Sequence, residues 1–161
     1  MTLALMRAGA TIIDSYRYLL WREWDSAGPC VTFVMLNPST ADAFADDPTL
    51  RRCIRFAQTW GFGMLSVVNL FAYRSSSPRD LLTASDPVGQ ENNAYLLQAA
   101  VQSTCIIAAW GNYGRYHERD NAVMKLLSDH ALHMFCLGCN ANGTPCHPLH
   151  LRKETERQCF R

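Results

Sequence analysis

The side chains placed to do chemistry in this sequence are amides and an imidazole. Asn37 precedes Pro38-Ser39-Thr40, and Asn69 precedes Leu70-Phe71-Ala72-Tyr73-Arg74. Asn112 lies in Gly111-Asn112-Tyr113-Gly114-Arg115, and His147 opens His147-Pro148-Leu149-His150. Almost no carboxylate accompanies them. An amide both donates and accepts hydrogen bonds, and a neutral imidazole does one of each. Amides therefore suit reading the edge of a neutral polar heterocycle, such as a nucleobase, better than clamping a metal ion.

The elements that must position these groups are four near-continuous apolar runs, Val31–Leu36, Met64–Leu70, Thr104–Trp110 and Leu132–Leu137. Runs of this length, β-branched in part, read as strands buried on both faces, the habit of parallel sheets. Helical periodicity covers Pro48–Trp60, Gly89–Gln102 and Arg119–His130. The first of these starts on Asp47 as N-cap with Pro48 at the first helical position. Tyr16–Trp24, rich in aromatics, reads as an edge strand making a hairpin with the first central strand. The expected fold class is α/β. It is a three-layer α/β/α sandwich around a mainly parallel four-stranded sheet, with an N-terminal antiparallel edge strand. Ligands bind at the carboxyl ends of such strands, where every polar cluster above falls.

Length and composition bound the rest. A chain of 161 residues with 48% apolar and 18% charged residues predicts one globular domain spanning 1–161. A formal charge of +1 excludes a histone-like polycation, yet the basic side is lopsided, with Arg far outnumbering Lys. Arg suits bidentate phosphate recognition, and a biased genome composition explains the same skew. No run of about 18 apolar residues marks a membrane span, and no secretory signal is evident. Seven Cys at irregular spacing fit reduced thiols and a cytoplasmic location.

The motifs L-N-P-S-T-A-D, D-D-P-T, N-L-F-A-Y-R, W-G and H-P-L, in that order, resemble the bacterial and phage family known as domain of unknown function 1643, over nearly the whole chain. N-P, V-V-N-L, W-G and H-P also resemble the uracil-DNA glycosylase superfamily in order. That second resemblance implies a uracil-DNA glycosylase-like fold with a base pocket. Asn37 matches its water-orienting position, Asn69 the amide that reads the uracil edge, and His147 the histidine that bonds a pyrimidine O2. Pro38 follows the water-orienting residue as in that superfamily and is assigned to the base pocket. Phe44 and Phe71 are both candidates for the aromatic that stacks on the base. The last motif reads H-P-L where the superfamily has H-P-S.

Cleaving an N-glycosidic bond places positive charge on the sugar and negative charge on the departing base. Fixed donors aimed at the base oxygen lower that barrier, and His147 could supply one. The Asn37 amide positions water but is too weak a base to deprotonate it. Asp42, Asp46 and Asp47 offer an alternative base. Asp42 is favoured because it lies closest to Asn37 in the chain, although Ser39-x-x-Asp42 also reads as a capping box and Asp47 as a helix cap. A duplex substrate requires the base to be flipped from the stack. Arg74-Ser75-Ser76-Ser77-Pro78-Arg79 sets hydroxyls between two guanidiniums, a phosphate grip or a solvated turn. Ser39, Asn112, Arg115 and Arg152 complete the expected DNA contacts, and Leu149 or Leu151 could fill the vacated stack.

Cys136, Cys139, Cys146 and His147 form a cluster without the two spaced pairs of a structural metal site, so no metal or other cofactor is expected. The leading expectation is a monomeric DNA glycosylase-like enzyme acting on a pyrimidine, modified or not. The alternatives are a non-catalytic module that binds a modified base or nucleotide, and a hydrolase of free nucleosides or nucleotides.

Overall fold

Residues 6–160 are described by the computed structural model. Seven strands, β1 (Arg7–Ile13), β2 (Tyr16–Glu23), β3 (Cys30–Met35), β4 (Met64–Asn69), β5 (Cys105–Ala108), β6 (Phe135–Cys136) and β7 (Gln158–Cys159), form one sheet. Their spatial order is β1-β2-β4-β3-β5-β6-β7. The four apolar runs become the parallel centre, β4-β3-β5-β6. Antiparallel strands flank that centre on both sides.

Three helices fall where periodicity predicts them, and a fourth, short one joins them. They are α1 (Pro48–Thr59), the short α2 (Asp80–Thr83), α3 (Asn92–Gln102) and α4 (Arg119–Asp129). The Asp47 carboxylate accepts the Leu50 backbone N–H at 2.7 Å, which fixes the start of α1. Alternate strand residues face opposite sides, and each side has its own core. Val31, Phe33, Leu65, Val67 and Ile107 pack against Leu50, Cys53, Phe56 and Ala57 of α1. Val34, Val68, Ile106 and Ala108 pack against Leu96 and Ala100 of α3 and against Val123 and Leu127 of α4. This is why the parallel strands read as continuous apolar runs: both of their faces are covered.

Two features of the sheet differ from expectation. The segment Tyr16–Trp24 is neither an edge strand nor a partner of β3, because β4 and β5 occupy both edges of β3. Instead β2 lies between β1 and β4, antiparallel to each. The outer strand is β1, joined to β2 by a tight turn in which Asp14 takes a left-handed φ of 54°. The β1 strand shows no apolar run because it is half-exposed, with Gly9 leaving room for the Trp21 indole against its backbone. The seventh strand escapes notice because it spans two exposed residues.

The orientation of β2 positions a site residue. Running against β4, it brings its first residues beside the carboxyl ends of the parallel strands, and the Arg17 N–H donates to the Ala72 carbonyl at 3.0 Å. Among the described residues, no helix is long and apolar enough to cross a membrane.

Candidate functional site

A cavity of about 500 Å³ lies where β3, β4 and β5 end. One wall is apolar, built by Leu20, Met35, Leu50 and Val67 from the core under α1. The polar groups come from chain that continues beyond the strands, including Asn37 after β3, Asn69 closing β4, Gly111 and Asn112 after β5, and His147 beyond β6. Side chains more than a hundred positions apart therefore share one hollow of a size suited to a small planar ligand.

Asn69 is the most informative of them. It is 1% exposed, and neither its Oδ1 nor its Nδ2 has a hydrogen-bond partner in the protein. Leaving a buried donor or acceptor unsatisfied costs about 1–3 kcal/mol each, so such atoms call for a role. The backbone around this side chain is tied down. Asn92 Nδ2 donates to the carbonyls of Asn69 (2.9 Å) and Leu70 (3.1 Å), and Arg119 Nε donates to Leu70 at 2.6 Å. A rigid strand end thus holds one free donor and one free acceptor side by side at the cavity.

Asn37 is oriented by its surroundings. Its Nδ2 donates to the backbone carbonyls of Pro38 (3.3 Å), Tyr73 (3.3 Å) and Ser75 (3.0 Å). Carbonyls only accept, so the amide group is committed and Oδ1 remains as the acceptor available to a ligand or water. His147 is fixed in a similar way. The Leu149 backbone N–H donates to its Nδ1 at 3.2 Å, so the ring proton of neutral His147 sits on Nε2. Burial, followed by the nearby His150, holds its pKa below the ordinary 6.5, against a smaller opposing pull from Asp47. At neutral pH His147 is therefore an uncharged Nε2–H donor.

Two cavity residues are charged: Arg17, which the sequence did not flag, and Asp47, one of the three carboxylates offered as an alternative base. Arg17 is 4% exposed and lines the cavity, and Asp47 lines it as well as capping α1. The loop that carries Asp47 is held by Arg22, itself buried. Its Nε and Nη2 donate to Asp46 Oδ1 at 3.0 and 2.9 Å, and Nη2 also donates to the Asp42 carbonyl at 2.5 Å. Trp110 lines the cavity too, and Gly114 is required beside it, since a Cβ there would lie 2.2 Å from Trp110 Cδ1. Tyr113, half-exposed, adds an aromatic ring to the lining.

Of the residues expected at the site, Asn37, Asn69, His147, Ser39, Asp47, Ser75, Ser76, Asn112 and Leu151 line the cavity. Several others do not. Phe71 is completely buried in the core under α3 and α4, so it offers no face to a ring. Phe44 points the other way, 98% exposed on the loop before α1. Pro38 is buried outside the lining, its carbonyl taken by the Ser75 N–H and the Asn37 amide. Asp42 starts no helix. Its Oδ1 accepts the backbone N–H groups of Phe44 and Ala45, both at 2.8 Å, and these bonds hold its carboxyl below the usual range. With Asp46 bound to Arg22, Asp47 is the carboxylate of the three that reaches the cavity. Arg74, Arg79, Arg115, Leu149 and Arg152 lie outside it, and Arg115 instead lines a second hollow and donates to the Asn142 carbonyl.

A family model for a protein of unknown function, DUF1643, matches residues 17–149. The chain belongs to the DUF1643 family. No curated protein and no solved structure matched it. The matched span runs from Arg17 to Leu149, so the DUF1643 region includes Arg17, Asn37, Asp47, Asn69, Asn112 and His147 of the cavity, while His150 and Leu151 lie just beyond it. Among the described residues no three His, Cys, Asp or Glu side chains are grouped to hold a metal ion. Cys136 is buried in β6, while the Cys146 thiol, its pKa raised by burial, donates to Asn140 Oδ1 at 3.5 Å.

Proposed function

We propose that this cavity takes up a pyrimidine ring and that the protein hydrolyses the ring's N-glycosidic bond, the base being presented by DNA. The observation that carries the reading is Asn69, buried with both amide atoms unpartnered at the cavity. A ring amide edge, C=O beside N–H, answers both atoms at once. The order of the N-P, V-V-N-L, W-G and H-P motifs, which resembles that of the uracil-DNA glycosylase superfamily, points the same way.

The chemistry follows from the two other groups. As the bond to the sugar stretches, negative charge collects on the base, and the His147 Nε2–H donates to the ring oxygen that receives it. Asn37 Oδ1 accepts a hydrogen bond from the attacking water and aims its lone pair at the sugar carbon. An amide does not take the water's proton, which passes to solvent once the C–O bond has formed. The base leaves with the C–N bonding pair and is protonated from solvent. The reaction therefore relies on a good leaving group and is slow. Incubation with oligonucleotides bearing uracil or 5-substituted uracils and cytosines, followed by alkali, tests the proposal. Strand cleavage at one of these bases supports it, and no abasic product across the panel contradicts it.

A second reading, a non-catalytic base-binding module, is favoured by one feature. The cavity carboxylate Asp47 already serves as the α1 cap, which leaves Asn37 without an acidic neighbour committed to catalysis. Binding of base-modified DNA without product, undisturbed by Asn37→Ala, selects that reading.

A further inference from the structure

Arg17 is a buried cation without a bonded counter-ion. Its guanidinium makes one hydrogen bond, from Nη1 to the Ala41 carbonyl at 3.0 Å, and its Nε is buried with no partner. Three ion pairs join described residues, and none includes Arg17. Burial works most strongly against its cationic form; of the charges around it, Asp47 and Asp42 favour that form and Arg74 and Arg22 oppose it. Arg22 is already bound to Asp46. A guanidinium carries five N–H donors in a planar fork that matches a carboxylate or phosphate. Holding one at a cavity with its Nε buried and unpartnered is costly, and an anion bound there would offset that cost. The other two buried arginines use more of their donors. Arg22 binds Asp46 and backbone carbonyls. Arg119, also without a carboxylate, donates from Nε to the Leu70 carbonyl and from Nη2 to Asn93 Oδ1, whereas Arg17 faces the cavity with its Nε unpartnered.

We infer that Arg17 forms an oxyanion subsite, so that the cavity's ligand carries a carboxylate or phosphate that lands on its guanidinium. The inference rests on the reading above for the ring, and on Arg17 alone for the anion. The oxyanion has two possible sources, an acidic substituent on the base or the phosphate of a free nucleotide.

Three pairs of probes separate these cases, each measured by equilibrium binding or thermal shift at matched ionic strength. They are inorganic phosphate against chloride, a pyrimidine deoxynucleoside 5′-monophosphate against the deoxynucleoside, and a 5-carboxy against a 5-methyl pyrimidine deoxynucleoside. The wild-type protein is expected to prefer the oxyanion-bearing member of at least one pair by about tenfold or more, as for hydrogen bonds to charged groups. The second pair points to a nucleotide phosphate and the third to an acidic base. Arg17→Met should abolish the preference. Arg17→Lys, which keeps the charge but loses the fork, should reduce it, and it decides the matter if the methionine variant does not fold. Equal binding within all three pairs, or a preference that survives both substitutions, overturns the subsite. An oxyanion preference without any base release from the oligonucleotide panel leaves the subsite standing and removes the proposed reaction, while base release without the preference does the reverse.

Discussion

At the scale of single residues, the site depends on protons and amides held in one orientation. His147→Asn keeps an acceptor for the Leu149 N–H but removes the Nε2–H, and it should lower base release by roughly 10²–10³, the usual cost of one such donor. The same side chain sets a pH dependence. Its folded pKa lies below the unfolded 6.5, so the folded state binds the proton less readily than the unfolded chain does. The stability it contributes is complete above 6.5 and is lost as pH falls through the folded value. Denaturation curves taken across that window should show wild-type stability falling toward acid, with a shallower fall in His147→Asn. Asn37 and Asn69 were legible because each sits where an apolar run ends, and His147 because it opens the H-P-L motif that follows the last run. Arg17 was not, since its relevance depends on β2 running antiparallel beside β4, and no local pattern states which strand a segment pairs with. Phe71 misled for a related reason: a residue after a strand end can as easily turn into the core as toward the ligand.

At the scale of elements, the loop from Ser39 to Asp47 connects β3 to α1 and closes one side of the cavity. Asp46→Ala would leave the buried Arg22 guanidinium without its carboxylate. The expected loss is about 2 kcal/mol in chemical denaturation, less than for a dry pair because Asp46 keeps 33% of its side chain exposed. At the loop's end, Asp47→Ala should cost about 1 kcal/mol of stability through loss of the cap, whereas Asp47→Asn should cost little. A large loss in Asp47→Asn would mean that its charge, rather than its capping bond, stabilises the fold. The Asp47-Pro48 start of α1 was readable because capping is local chemistry. The loop's own shape was not: Ser39-x-x-Asp42 matches a capping pattern, yet Asp42 spends its carboxylate on the N–H groups of Phe44 and Ala45. The same sequence serves a turn or a helix start, and here the buried Arg22, distant in sequence, joins Asp42 and Asp46 in holding the turn.

At the scale of the whole molecule, continuous apolar runs announced a doubly covered parallel centre, because burial on both faces removes the alternation that a half-exposed strand shows. The flanking strands β1 and β7 left a weaker trace, being half-exposed or only two residues long. Engagement of a nucleic-acid polymer would also be a property of the whole surface. Arg79 is exposed and Arg74 partly so, both outside the cavity. Replacing both with Ala should weaken binding equally across sequences and lower the salt slope on duplex DNA by about 0.9 for each phosphate that is no longer neutralised. An unchanged slope would place the polymer elsewhere. The proposed function requires separate strand ends to close around one ring, with Asn69 reading its edge. The most direct measurement is binding of an oligonucleotide carrying the preferred pyrimidine to wild-type protein and to Asn69→Ala. A bidentate amide interaction predicts about 10–100-fold weaker binding of that base in the variant, with unmodified DNA unaffected. Equal affinity of the two proteins for the pyrimidine-bearing strand would contradict it.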